Sequence, residues 1–149
     1  MESLSQKDLL LISKLREDSR TKLTKLSRDT NVPVSTIFDK IKEYRSGVIK
    51  RFSCLIEFEK LGYPIKSQII LQVTQKDRDR LKKHLEFNEN VNSLFKANNG
   101  NFLIEGIFKS IKHSEKFIET LQEKFEIINI QNFYVIEEIK HEGFSIVTQ

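Results

Sequence analysis

The chain has 149 residues, 38% of them hydrophobic and 31% charged, with a formal net charge of +4 and a single cysteine. That composition suits one soluble domain or two small ones; no apolar run is long enough for a membrane span, and no internal disulfide framework can form. Residues 1–53 hold twelve Lys/Arg against seven Asp/Glu, whereas residues 54–149 hold thirteen against fourteen, so the positive excess lies wholly in the first third. This asymmetry is the electrostatic footprint of a nucleic-acid-binding module joined to a neutral partner domain.

Ser5 is a predicted N-cap, and Asp8 stands three residues on in a capping-box position. The helix they start carries Leu11, Ile12 and Leu15 on one side and ends at Asp18-Ser19. Thr21 can cap a second helix, with Leu23 and Leu26 as its apolar edge. Asn31 falls where the chain must turn, and asparagine tolerates the left-handed conformation better than most residues. Pro33 suits the first turn of a third helix, where the amide hydrogen it lacks has no partner anyway.

In that third helix Ile37, Ile41 and Tyr44 fall at i, i+4 and i+7, one apolar face. Ser35, Phe38, Asp39 and Lys42 lie opposite, and Gly47 stops the helix. The pattern is a helix-turn-helix whose second helix, about 33–46, can enter a DNA major groove. Such helix pairs also occur in domains that never meet DNA. The charge asymmetry and the segment after Gly47 favour DNA. Ser35, Thr36, Phe38, Asp39 and Lys42 are expected in the groove, and Lys40, Lys50 and Arg51 on phosphates.

Residues 47–58, GVIKRFSCLIEF, are rich in β-formers and predict a strand, a wing or linker leaving the helical domain. Gly62 and Pro64 mark a boundary. The expected division is a winged helix-turn-helix over 1–53, a hinge over 54–64 and a second domain over 65–149. In the second domain Ile65, Ser67, Ile69, Leu71 and Val73 alternate with mostly polar residues. A helix over 76–87 follows, with Leu81 and Leu85 inward. Then come a strand over 91–97, a hairpin at Asn98-Asn99-Gly100-Asn101, a strand over 102–108, a helix over 114–125 and a long strand over 127–140. This is the order of a ferredoxin-like β-α-β-β-α-β domain, so the fold class is α+β.

The last strand is apolar on both sides. Ile128, Ile130, Tyr134 and Ile136 alternate with Phe133, Val135 and Ile139, so both faces of the sheet need cover. A second copy of the chain is the simplest cover. The chain's own linker or N-terminal domain is the other. Cys54 alone, and His84, His113 and His141 far apart, give no metal-ligand spacing. No nucleophile-base pair and no phosphate loop is present, so neither an enzyme nor a cofactor is expected, and a reducing cytoplasm is the expected location.

These motifs, in this order, resemble the Lrp/AsnC (feast/famine) transcriptional regulators over nearly the whole chain. LSQKDLLLISKL, with Asp8 at the family's aspartate, resembles the opening helix. Asp18-Ser19-Arg20 resembles the loop that follows it. Val32 to Ile37 with Lys40-Ile41 resembles the recognition helix. Gly47-Val48-Ile49 with Phe52 resembles the glycine-x-isoleucine-x-x-aromatic strand, and Leu61-Gly62-Tyr63 the hinge. Tyr134 to Lys140 resembles the closing strand. The resemblance implies a winged helix-turn-helix, a ferredoxin-like effector-binding domain that dimerises, assembly up to octamers, double-stranded DNA as partner, and control by amino acids.

Two features depart from the family pattern. The end of the recognition helix, Tyr44 to Gly47, is one residue short. The effector-loop signature, glycine-acidic-aromatic-aspartate-aromatic, is here Asn98-Asn99-Gly100-Asn101-Phe102, with asparagine at both acidic positions. An ammonium group favours a carboxylate partner, so a free amino acid is a doubtful effector. Two alternatives differ in class: an architectural DNA-compacting protein, and an enzyme resembling the siroheme decarboxylases. The second would carry a histidine on the hairpin, where this chain has Ala97-Asn98-Asn99-Gly100.

Overall fold

The computed structural model describes residues 4–146. They form two compact units, one of residues 4–55 with 140–146, the other of Ile56–Ile139.

The helical unit contains α1 (Gln6–Glu17), α2 (Leu23–Thr30) and α3 (Val34–Ser46). Ser5 caps α1 in a complete capping box with Asp8. Lys22, not Thr21, occupies the N-cap of α2 and makes no side-chain cap bond there. Asn31 closes α2 in the left-handed conformation, φ 54°, and the turn delivers Pro33 to the N-cap of α3. Leu11, Ile12, Leu15, Leu26, Val32, Ile37 and Tyr44 are buried together, with Leu23, Ile41 and Ile49 packed around them. Burying each such apolar side chain contributes roughly 1.5–3 kcal/mol, and this cluster fixes the angle between the helices.

The other unit orders β1 (Ile65–Val73), α4 (Arg78–Glu86), β2 (Val91–Lys96), β3 (Phe102–Phe108), α5 (Ile111–Lys124) and β4 (Ile127–Tyr134) into an antiparallel sheet β2-β3-β1-β4. Ile69 opposes Ile104, and Leu71 opposes Phe102 on one side and Ile130 on the other. These residues meet Leu81 and Leu85 of α4 and Phe117 and Leu121 of α5 in one core. Gly106 makes room for the buried Phe108 ring, since a Cβ there would lie 2.5 Å from it.

Several predicted boundaries shift for identifiable reasons. The strand expected over 47–58 is not formed: among the described residues 49–57 are irregular, because no neighbouring strand within the chain offers a ladder. Helix α4 begins at Arg78, after a 3-10 turn over Gln75–Asp77. Helix α5 begins at Ile111, not Ser114, because Ser110 accepts from the His113 amide as its N-cap. Ser114 is instead buried, 3.1 Å from the Ser67 hydroxyl.

The last strand stops at Tyr134, opposite Ser67 of β1, and the Val135 amide makes one more bond, to the Lys66 carbonyl. Ile136 and Ile139 are exposed beyond it. A bulge between Gln72 and Val73 changes the phase of β4. Ile127 and Ile130 therefore pack on the core while Ile128 is exposed, off the face predicted for it with Ile130. The tail does not stay with the sheet as the division at 65–149 had it. Ile146 packs on the helical core, and Glu142 accepts from Arg16 at 2.9 Å.

Candidate nucleic-acid interface and hairpin site

One carboxylate organises the third helix. Asp8 on α1 accepts from the Tyr44 hydroxyl at 2.5 Å and from the Lys40 ammonium at 2.6 Å, both on α3, and also from the Ser5 hydroxyl and amide. Asp8 is buried and Lys40 half-buried. The Lys40 ammonium, with Ser5 and Tyr44, holds the Asp8 carboxyl well below the usual carboxylate range. Burial first, and the hydrogen bond to Asp8 second, push the Tyr44 phenol up. The Lys40 ammonium is raised by the same carboxylate. Lys40 is thus engaged inside the protein, not turned outward as expected for a phosphate contact. Its ammonium already answers a buried carboxylate, which competes with any phosphate for it.

The opposite side of α3 is open. Ser35, Thr36, Asp39 and Lys42 are exposed, and Phe38 is 50% exposed. The Lys42 ammonium lies 4.5 Å from the centre of the Phe38 ring. A cation over a ring is attracted by its quadrupole, so the pair holds an apolar plate and a positive charge side by side. Lys50 and Arg51 are exposed on the irregular segment after α3.

The β2–β3 hairpin is tight. The Gly100 amide donates to the Ala97 carbonyl at 3.0 Å, and the Ala97 amide to the Asn101 carbonyl at 2.8 Å. Asn99 Oδ1 accepts from the Asn101 amide at 3.0 Å. Gly100 adopts φ +84°, which an L side chain resists. The Arg78 guanidinium lies against it, so that a Cβ on Gly100 would come within 3.1 Å of Nη2. The buried Arg78 Nε has no hydrogen-bond partner. Asn98 and Asn99 are exposed, while Gly100 and Asn101 are half-buried.

Among the described residues no group of His, Cys, Asp or Glu could hold a metal ion, and no helix is long and apolar enough to cross a membrane.

No family model matches the chain. The transcriptional regulator LrpC of Bacillus subtilis is 25% identical over 117 residues, 77% of this chain and 81% of LrpC. The regulator FL11 of Pyrococcus furiosus is 39% identical over 67 residues, 44% of each chain. The solved LrpC structure superposes with a TM-score of 0.82 at 22% identity, covering 93% of this chain and 98% of that one. A transcriptional regulator of Neisseria meningitidis, NMB0573 in complex with L-Met, superposes at 0.86 with 19% identity, covering 93% and 94%. The chain is thus similar in sequence to HTH-type transcriptional regulators such as LrpC and FL11, and in fold to solved Lrp/AsnC regulators.

Sequence reasoning placed Asp8 in the capping box but missed its grip on α3. Tyr44 and Lys40 lie 36 and 32 positions away, and no local pattern joins them to Asp8. It also missed Arg78, which the sequence shows only as one of many charges in a helix. The turn after β1 brings it to the hairpin.

Proposed function

We propose that this chain regulates transcription by sequence-specific binding of double-stranded DNA, with α3 in the major groove. The observation that carries this is the contrast between the two sides of α3. Its inner side is pinned by Asp8, and its outer side presents Ser35, Thr36, Phe38, Asp39 and Lys42 to solvent. A rigid helix with a polar, partly aromatic outer face can read base edges, and Phe38 can rest on a thymine methyl. Lys50 and Arg51 meet phosphates. Lys40 is left out of the contacts, because its charge answers Asp8.

The chain acts as a homodimer joined through its sheet domains, since a palindromic site matches a two-fold protein. The sheet face away from the helices supports this. Phe95, Leu103 and Ile70 lie side by side across three strands, with Phe133 on the next row of the same face. Phe95 is 64% exposed, Leu103 38% and Phe133 55%. Such a stripe on an otherwise polar sheet suits a second copy. The proposed function includes an effector site at Asn98 to Asn101; the Neisseria regulator of like fold is described in complex with L-Met, so a small ligand is in keeping with this fold. A cytoplasmic location fits a protein that works on DNA.

Selection of bound genomic fragments, followed by footprinting of the best one, tests the proposal. Protection of a defined, roughly two-fold site against excess competitor DNA is expected. Uniform protection with no preferred site would favour a compacting protein instead.

A further inference from the structure

The sheet unit holds a cleft of about 830 Å³ that the DNA-binding reading does not use. It lies at the end of the domain where β1 and β2 begin and β3 ends, away from the 98–101 hairpin. Its volume falls in the range of small-molecule sites, roughly 300–1,000 Å³. The apolar part of its wall is made by Phe58, Tyr63, Ile107 and Phe117. The charged part is made by Lys109 and Lys116, and Glu89 is the single carboxylate among the lining residues. Two histidines, His84 and His113, complete the wall.

We propose that this cleft binds a small organic carboxylate carrying an aromatic or branched apolar group, and no ammonium. The apolar body lies along Phe117 and Ile107, and the carboxylate faces the two lysines. The Lys109 ammonium stands 5.6 Å from the Tyr63 ring centre, so one cation is already poised over the apolar wall. The Lys116 ammonium is held by Glu119 at 3.7 Å on an exposed stretch of α5. A surface pair of that kind is worth little, so a ligand anion can displace it. The Asn90 side chain donates to the Ile107 carbonyl at 3.0 Å and its amide donates to Asn88 Oδ1, which fixes the loop that closes one side. Burial, with Lys124 nearby, lowers the His84 pKa. The lysines Lys109 and Lys116 supply fixed positive charge at the cleft. Among the lining residues an ammonium group would have two lysines against it and one carboxylate, Glu89, for it.

Phenylpyruvate and phenylalanine form a matched pair of probes, differing at the carbon that bears the keto or the ammonium group. The chain has three histidines, of which His84 and His113 line the cleft and His141 does not. Histidine ring signals in proton NMR of the full chain therefore report on the site with an internal control. Phenylpyruvate is expected to shift His84 and His113 saturably and leave His141 still, with phenylalanine at least tenfold weaker. A Lys109→Ala, Lys116→Ala double variant is expected to bind at least tenfold more weakly, and the Arg, Arg variant to retain binding. Unaltered circular dichroism secures the fold of each variant. The proposal is overturned by equal affinity for the two probes, by shifts that do not saturate below millimolar concentration, by equal shifts in all three histidines, or by an unchanged double variant. If the histidine signals instead change with protein concentration alone, a second copy fills the cleft, and that also overturns it.

Discussion

The Asp8 carboxylate on α1 and the Tyr44 hydroxyl near the end of α3 meet at 2.5 Å, across 36 residues of sequence. A short helix pair cannot hold its angle by propensity alone, because isolated helices of this length are marginal in water. The apolar cluster supplies most of the cohesion. The carboxylate adds direction, because it accepts from two residues a turn apart on the recognition helix, Lys40 and Tyr44. Replacing Asp8 with Ala strands a buried hydroxyl and a half-buried ammonium. We expect a loss of about 2–4 kcal/mol in stability of the helical unit. Urea unfolding followed by circular dichroism measures it. A loss below about 0.5 kcal/mol would show that the network is ornamental.

The same network predicts an acid limb. The Asp8 carboxyl is depressed in the folded state from its ordinary value of 3.8, with the Lys40 ammonium as the leading cause. A depressed carboxyl contributes stability that is present in full above its unfolded pKa and is lost as pH falls through the folded one. The window therefore opens below about pH 4 and extends downward. Wild type should lose stability steeply there, and Asp8→Asn should be less stable at pH 7 yet flatter below pH 4. Parallel curves for the two proteins would remove Asp8 from the acid response.

DNA binding should divide by residue. Lys50→Ala should weaken binding to all sequences alike and reduce the salt slope by roughly one unit, as expected for a single phosphate contact. Phe38→Ala should leave the slope unchanged and relax the preference at one base pair, at a cost of about 1–3 kcal/mol for the preferred base. Lys40→Ala should lower stability without altering the slope. Fluorescence anisotropy with a footprinted site, measured at several salt concentrations, separates the three. A slope change in the Lys40 variant would return it to the contact list.

The exposed stripe on the sheet sets the oligomer test. Leu103→Lys places a charge between Phe95 and Ile70, in the middle of the proposed interface. Light scattering should give about twice the chain mass of 17.5 kDa for wild type and a monomer for the variant. A wild-type monomer at micromolar concentration would refute the dimer.

Much of this was legible in the chain itself. Apolar spacing found α1 to α3, and the turn at Asn31 followed from its tolerance of positive φ. Alternation found the buried side of β1, and Phe102, Ile104 and Phe108 of β3. The failures have a common cause: they depend on partners distant in sequence. The strand over 47–58 needs a ladder that the chain does not offer itself. The phase of β4 depends on a bulge opposite Gln72. The pairing of Lys40 with Asp8 was not legible, because helical periodicity gives a residue's side but not its partner, and Asp8 sits on another helix. On the open face of α3, spacing did identify the exposed side chains Ser35, Thr36, Asp39 and Lys42.

The last prediction concerns the hairpin. An amino-acid effector presents an ammonium and a carboxylate together. Around the turn this chain offers Asn98, Asn99 and Asn101, which can donate and accept but carry no charge. A positive charge, the Arg78 guanidinium, lies against Gly100. An ammonium therefore gains no carboxylate here and meets a cation. Losing one charge-assisted hydrogen bond costs on the order of 1.5–3 kcal/mol, roughly tenfold to more than a hundredfold in affinity. We expect calorimetric titration with the twenty common amino acids to give dissociation constants weaker than about 1 mM. Asn99→Asp with Asn101→Asp should strengthen binding of at least one of them tenfold or more. Asp at 99 keeps an acceptor for the Asn101-position amide, so the turn itself is preserved. Micromolar binding of any amino acid to the wild-type chain, accompanied by a change in DNA affinity, would show that backbone groups do the recognition and that the asparagines hardly matter.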